Sequence, residues 1–483
     1  MNLNPLLATD VYKLGHMEFY PEGTRYIYSY LIARSVKKYD AALWFGLQAH
    51  LYFLTEPITP AMVEEFLEYR KLILGSVPAG VEKKIRALGK LGYWPISIKA
   101  LPEGSVVPNR NVLMTMTNTD PEFAWCVGFL ESYILKVWNT TTVATSSLGF
   151  KRLFTKYAEE TASAEAMGMV PFQVHDFGYR GCSSEQTAAL SGMAHLVTFL
   201  GTDTVTAVKA ARDYYKAVHP IGLSVPATEH SVMCAYGRDN EIGAFRTMLR
   251  QNPTGIVSIV SDTYDLWNVL TVIARELKPD ILARDGKVVF RPDSGDPKTI
   301  LCGDEASPVG SPARKGAIRL LDELFGSTVN SKGFKELNPK VGLIYGDGMY
   351  YSRIADILGT IKVMGYATTN LVIGVGGILL QQHNRDDMGF AIKATHARVG
   401  TEDRELFKDP ITDSGKRSHK GFVRIDRLEG GEYVTTDRVS AEKEKGGLLV
   451  EVYRDGKILK EWTFEEVRAL TRREEAARTA VIA

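Results

Sequence analysis

At 483 residues, 45% apolar and 24% charged, the chain is too long for one small core and has the balance of a soluble globular protein. Its 58 basic residues are matched by 57 acidic ones, which argues against general nucleic-acid binding. The most apolar run, Leu371–Leu380, is about half the length that spans a bilayer. Cys126, Cys182, Cys234 and Cys302 lie far apart with no Cys-x-x-Cys pair, so neither a disulfide framework nor a zinc site is expected. The first residues lack the features of a signal peptide, and a cytoplasmic protein with no membrane partner is expected.

Arg25–Arg34 reads as a strand rich in Tyr and Ile. Thr59-Pro60 opens a helix to about Leu74, with proline suited to its first turn. Short β runs broken by Pro-Glu-Gly and Pro-Asn turns fill Tyr93–Thr117. Two long helices follow, over about 121–138 and 143–160.

After Glu165 the rhythm changes. Seven apolar runs end in small or charged residues marked by Asp176, Asp203, His230, Asp262, Asp293, Asp347 and Gly376. The markers recur about every 30 residues, the length of one βα unit. One gap of 54, from Asp293 to Asp347, holds an insertion rich in Gly, Ser and Pro. This spacing predicts an α/β fold: an irregular parallel β/α barrel, TIM-like, over residues 166–389. An open doubly wound sheet is the alternative, weakened by the lack of a Gly-x-Gly-x-x-Gly turn. From about Phe390 the pattern returns to antiparallel strands. Arg454-Asp455-Gly456-Lys457 reads as a hairpin turn, and a charged helix begins at Thr463. Residues 390–483 are expected to join 1–165 in a second, α+β domain with an antiparallel sheet.

In such a barrel the loops after the strands share one face. There the carboxylates of Asp176, Asp203, Asp262, Asp265, Asp293 and Asp347 would meet Arg180, Arg291 and His230. Carboxylates accept from sugar hydroxyls or bind Mg²⁺. Gly374, Gly376 and Gly377 precede a helix whose first N–H groups suit a phosphate. Basic residues follow at Arg385, Lys393, Lys408, Lys416, Arg417 and Lys420. Together they point to a phosphorylated sugar. Each feature also has a plain reading: a solvated turn at Arg291–Pro297, a structural His230, a tight turn at Gly374–Gly377 and a solvated basic loop at 416–417. A glycosidase would use paired carboxylates without the phosphate-binding features. The chain has no His-Glu-x-x-His, Gly-x-Ser-x-Gly or Walker loop.

Nine ordered motifs then narrow the reading. They are Ala8-Thr9-Asp10-Val11-Tyr12-Lys13, His175-Asp176-Phe177-Gly178-Tyr179-Arg180-Gly181, Leu200-Gly201-Thr202-Asp203-Thr204 and Ser224-Val225-Pro226-Ala227-Thr228-Glu229-His230-Ser231. The others are Val260-Ser261-Asp262-Thr263-Tyr264-Asp265, Arg291-Pro292-Asp293-Ser294-Gly295, Gly346-Asp347-Gly348, Gly374-Val375-Gly376-Gly377 and Phe407-Lys408-Asp409-Pro410. Over nearly its whole length the chain resembles the nicotinamide phosphoribosyltransferase family.

The resemblance implies condensation of nicotinamide with 5-phosphoribosyl 1-pyrophosphate, giving nicotinamide mononucleotide and pyrophosphate in NAD salvage. It implies a homodimer with active sites shared across the subunit interface, Mg²⁺ as cofactor and ATP as an activating co-substrate. By resemblance, Phe177 and a partner subunit's Tyr12 would sandwich the pyridine ring, with Arg180 and Asp203 on the amide. Arg291, Asp293 and Asp347 would hold the ribose, and Gly376 and Gly377 its 5′-phosphate, supported by Arg385 and Lys393. Arg34, Lys408 and Lys416 would meet the pyrophosphate. Asp10, Ser261, Asp265 and Gly346 are further substrate contacts by motif. His230, Asp293 and Arg291 form the catalytic set, with His230 matching a histidine phosphorylated by ATP. No metal ligand is assigned. Two residues depart from the pattern: Ala391 replaces a serine, and Ile378 replaces a third glycine in the phosphate segment. The nearest alternatives are a nicotinate phosphoribosyltransferase and a non-catalytic, ligand-sensing dimer of the same fold. Asp203 disfavours nicotinate, whose carboxylate it would repel.

Overall fold

Both ends of the chain contribute to one antiparallel sheet of seven strands. Its order is Glu402–Glu405, Phe390–Val399, Thr24–Ala33, Val112–Asn118, Ile96–Ala100, Val450–Arg454 and Lys457–Ile458. The computed structural model describes residues 4–408, 412 and 418–482, with side chains through Ala477. Thr24–Ala33 is buried from Ile27 onward because it is paired on both edges, by Phe390–Val399 and Val112–Asn118. The last two strands turn at Asp455 and Gly456, at φ 49° and 78°, the positive angles a two-residue hairpin requires.

Helix Pro60–Leu74 starts where Thr59 accepts from the Met62 N–H (3.3 Å). The C-terminal helix Phe464–Ile482 begins with a reciprocal cap: Thr463 Oγ1 accepts from Glu466 N–H, and Glu466 Oε2 accepts from Thr463 N–H. One predicted break is absent. The helix Trp138–Thr161 runs straight through Thr140-Thr141-Thr142. Those hydroxyls are all used on backbone carbonyls, of Trp138 by Thr142 and of Phe45 by Thr140 and Thr141.

A second sheet is parallel and curled. Its six strands run in the order Gly201–Thr202, Val174–Asp176, Leu371–Val375, Val341–Tyr345, Asp285–Arg291 and Thr254–Val260. Val341–Tyr345 is buried at every position, as expected of a parallel strand covered on both faces. The run Leu223–His230, counted as a strand from sequence, forms no ladder. Leu223 makes an isolated bridge to Gly201 at one edge of the sheet, and Ala227 one to Ser258 at the other. Pro226 has no N–H to donate, which limits regular pairing there.

The chain divides into two units, Met1–Thr145 with Ala210–Val218 and His383–Ala483, and Ser146–Lys209 with His219–Gln382. The boundaries thus fall near 145 and 383, where the sequence placed them near 165 and 390. The short piece 210–218 was assigned to the barrel by position, but it belongs to the first unit. Tyr215 stacks on Phe45 (4.9 Å between centroids) and donates to Glu103 (2.6 Å), while the Tyr214 carbonyl accepts from Gln48 (2.5 Å). Among the described residues, no helix is long and apolar enough to cross a membrane.

Glu103 is buried and also accepts from the N–H groups of Gly46 (2.6 Å) and Gln48 (2.7 Å). Burial outweighs these bonds and pushes its pKa up to about 7. A carboxyl raised on folding takes up a proton in the folded state. Its contribution is therefore most favourable below its unfolded pKa and declines as pH rises to about 7. Thermal unfolding followed between about pH 5 and pH 8 is expected to show this slope, worth on the order of 3 kcal/mol, and Glu103→Gln to flatten it.

Candidate active site

The strand Val174–Asp176 sorts its residues by face. Val174 and Asp176 are fully buried, whereas His175 and Phe177 lie on the other side. Asp176 accepts from Gly178 N–H (2.7 Å) and Thr202 Oγ1 (2.9 Å), and burial pushes its pKa up. It ties two strand ends together and leaves the set of substrate-facing acids.

Phe177 folds its ring against the ends of two other strands. A Cβ at Gly374 would come within 2.1 Å of the ring, and one at Gly346 within 3.0 Å. Glycine at both positions lets the ring sit there. The His175 ring lies 5.2 Å from Phe177 and meets Asp203 Oδ1 through Nε2 at 2.9 Å. Ser224 donates to the same oxygen at 2.5 Å. Both bonds fall on Oδ1, so Oδ2 of a side chain 46% exposed remains available to a ligand. Burial raises the Asp203 pKa, but His175, Ser224 and the charge of Arg291 outweigh it and hold the carboxyl below its ordinary range. His175 thus stands between the Phe177 ring and an ionised, oriented acceptor.

His230 opens the helix His230–Tyr236. Its Nδ1 is 3.1 Å from Thr263 Oγ1, and its Nε2 is 3.9 Å from both Asp262 Oδ1 and Asp293 Oδ2. Asp262 Oδ2 accepts from the Asp293 N–H (2.8 Å), while its Oδ1 is buried with no hydrogen-bond partner. The imidazole therefore faces two carboxylates at equal distance. Arg291 donates from Nη2 to the Thr228 carbonyl (3.0 Å), and its guanidinium lies 6.0 Å from the Phe177 centroid.

Two expected contacts also have structural roles. Ser261 is fully buried and its hydroxyl bonds backbone, donating to Ile259 (2.7 Å) and accepting from Arg291 N–H (3.2 Å). It braces Arg291. Asp265 Oδ1 caps the next helix, accepting from Trp267 N–H (2.9 Å) and Asn268 N–H (3.2 Å). Asp296 likewise caps Pro297–Cys302 through Thr299 N–H (3.1 Å).

Asp347 and Arg180 are exposed. Gly377 starts a four-residue helix, Gly377–Leu380, with Ile378 in its first turn. Gly181 presses against this start; a Cβ on it would lie 3.0 Å from the Gly377 nitrogen.

The remaining candidates lie in the first unit. Asp10 and Tyr12 are exposed, with Tyr12 at 61%. Arg34, Arg385, Lys393 and Lys408 line a cavity of about 170 Å³ with Glu131 and Ala391. Burial and then the Arg34 charge lower the Lys393 pKa. Lys416 lies outside the described residues. His175, Ser224, Thr263 and Glu131 were not singled out from sequence. The i, i+2 spacing of His175 and Phe177 on a strand could have paired the first of them. The others become neighbours only through the fold.

Known proteins share the sequence and the fold of this chain. The profile of the nicotinate phosphoribosyltransferase (NAPRTase) family matches residues 172–456, and that of the nicotinamide phosphoribosyltransferase N-terminal domain matches residues 4–73. The chain is 43% identical to a nicotinamide phosphoribosyltransferase of Acinetobacter baylyi, covering 96% of each chain. It is 40% identical to one of Xanthomonas campestris pv. campestris, covering 96% of this chain and 97% of that one. The fold is similar to crystal structures of nicotinate-nucleotide pyrophosphorylase from Pyrococcus furiosus (TM-score 0.60, 15% identity, 99% and 96% coverage) and of human nicotinic acid phosphoribosyltransferase (TM-score 0.56, 16% identity, 97% and 94% coverage). The chain belongs to the nicotinamide phosphoribosyltransferase family.

Proposed function

We propose that the protein condenses nicotinamide with 5-phosphoribosyl 1-pyrophosphate to give nicotinamide mononucleotide and pyrophosphate. The observation that carries this reading is His175 set between the Phe177 ring and the Asp203 carboxylate, which Ser224 also holds. A flat heteroaromatic ring suits the Phe177 face, and a carboxylate accepts from an amide N–H₂. The names of the similar proteins support the same chemistry.

The ring nitrogen attacks C1 of the ribose as pyrophosphate departs. Positive charge develops on the sugar, so orientation and electrostatics supply the rate without a protein nucleophile. Asp293 and Asp347 hold ribose hydroxyls; Arg291, braced by Ser261 and Thr228, keeps a fixed cation beside them. The N–H groups at Gly376 and Gly377 face the 5′-phosphate. Arg34, Arg385, Lys393 and Lys408 form the anion-binding cavity. The second unit is in this proposal an irregular β/α barrel, with Leu223–Ala227 bridging the two sheet edges.

Mg²⁺ fits the donor set in one way. No group of three ligands among the described residues would hold a metal alone. However, the orphaned Asp262 Oδ1 beside Asp293 suits an ion that keeps waters and shares a substrate's phosphates. Such an ion would neutralise charge on the leaving pyrophosphate.

ATP enters this reading through His230. Thr263 orients the ring, and a phosphoryl group on it would add negative charge beside Asp262 and Asp293. A homodimer belongs to the same proposal: Tyr12, His16 and Phe19 form a run of adjacent rings, with Phe19 77% exposed, open to a second copy.

Purified protein with labelled 5-phosphoribosyl 1-pyrophosphate, offered nicotinamide or nicotinate with and without ATP, is expected to form nicotinamide mononucleotide and to turn over faster with ATP. Exclusive use of nicotinate would replace this reading with the neighbouring one. Asp203→Ser is expected to shift the ratio of kcat/KM for the two bases toward nicotinate by about tenfold or more; an unchanged ratio removes Asp203 from base selection. His230→Ala is expected to abolish ATP stimulation and the accompanying ADP release. Full stimulation in that variant would take the phosphoryl-acceptor role from His230.

A further inference from the structure

Helix Trp125–Ile134 holds the segment that carries Tyr12. Its Phe129 carbonyl accepts from Thr9 Oγ1 (3.0 Å), its Gly128 carbonyl accepts from Lys13 Nζ (2.7 Å), and Ser132 donates to the Asp10 carboxylate. Lys13 is only 3% exposed, and its ammonium pairs with Glu131 Oε2 at 2.8 Å. Leaving that buried charge without its partner would be strongly unfavourable. The same ammonium lies 5.4 Å from the centroid of the Tyr12 ring. Lys13 thus stands between Glu131 and the Tyr12 ring.

Glu131 has a second set of neighbours. It is the one acid among the described residues lining the cavity of Arg34, Arg385, Lys393 and Lys408. Lys393 registers both influences: burial and Arg34 lower its pKa, and Glu131 opposes them. A carboxylate in a pocket of four cations weakens anion binding there, so a role in phosphate affinity alone does not account for it. Its bond to Lys13 does.

We propose that Glu131 is a positioning residue that couples anion binding in this cavity to the pose of Tyr12. In the empty cavity its charge is shared between Lys13 and the cations around Lys393. An anion arriving there neutralises those cations and repels Glu131, leaving its charge to Lys13. The Lys13 ion pair tightens, and with it the Tyr12 segment. Pyrophosphate and the aromatic base then bind with positive cooperativity, and the coupling must be reciprocal. This rests on the proposed function, in which the cavity takes phosphate oxygens and Tyr12 meets the base.

Calorimetric titration of the full-length protein tests it, with inorganic pyrophosphate and nicotinamide as probes, each alone and with the other saturating. The wild type is expected to show each probe tightening the other by about fivefold or more. Glu131→Gln is expected to bind pyrophosphate alone several-fold more tightly, because an acid has left the cavity, while the coupling factor falls to about one. The double variant Lys13→Met, Glu131→Gln removes the stranded ammonium. It is expected to unfold at a higher temperature than Glu131→Gln yet show the same lost coupling, which separates coupling from folding. Wild-type coupling retained in Glu131→Gln would overturn the inference, as would a wild type that binds both probes independently. A wild type that binds neither probe and forms no nucleotide overturns the proposed function and the inference with it.

Discussion

A ring laid on backbone requires that the backbone carry no Cβ. Phe177 sits where side chains at Gly374 and Gly346 would overlap it or crowd it, and the rest of the slot depends on this contact. Gly201 repeats the constraint one strand away, since a Cβ there would come within 2.7 Å of His175 Nδ1. Three strand ends are therefore glycine so that two rings, His175 and Phe177, can lie side by side. Once His175 is placed, Asp203 is oriented, and an ionised acceptor is fixed on the far side of the imidazole from Phe177's contact. Packing thus decides the electrostatics here.

The second unit keeps charge in fixed relations rather than in amount. Asp176 and Asp203 are both strand-end aspartates about one βα unit apart, yet their fates are opposite. Asp176 is fully buried on neutral donors, and its pKa rises. Asp203 has a histidine and a serine on one oxygen and an arginine nearby, and its pKa falls. His230 shows the same economy, with one ring nitrogen on Thr263 and the other facing two carboxylates. In the first unit the balance is reversed: four cations surround a cavity with a single described acid, and that acid is tied to a buried lysine. Both arrangements use one counter-charge to orient a group that has several possible partners.

Much of this was legible in the chain. Recurrence of apolar runs at the length of a βα unit marked the parallel sheet, because parallel strands covered on both faces must be apolar throughout. Asp455-Gly456 marked a hairpin, since few residue pairs accept two positive φ angles. Thr59-Pro60 and Thr463 marked helix starts through local hydrogen bonds. Elsewhere local pattern failed. The gap left between two helices at 139–142 lies inside one helix, where three threonine hydroxyls have backbone acceptors. Leu223–His230 looked like a strand but makes only single bridges. Ser261 sat in a motif with charged neighbours, yet its hydroxyl serves backbone groups, and its burial was not visible along the chain.

The sequence by itself determined what depends on neighbours along the chain: turn chemistry, strand and helix periodicity, the family motifs and their order. Only the tertiary structure decided what depends on distance between remote residues. It assigned residues 210–218 to the first unit through Tyr215 on Glu103. It separated a buried Asp176 from an available Asp203, and it brought Glu131 to both Lys13 and the cation cavity. Burial and pairing are properties of the space around a side chain, and residues far apart in sequence supply that space.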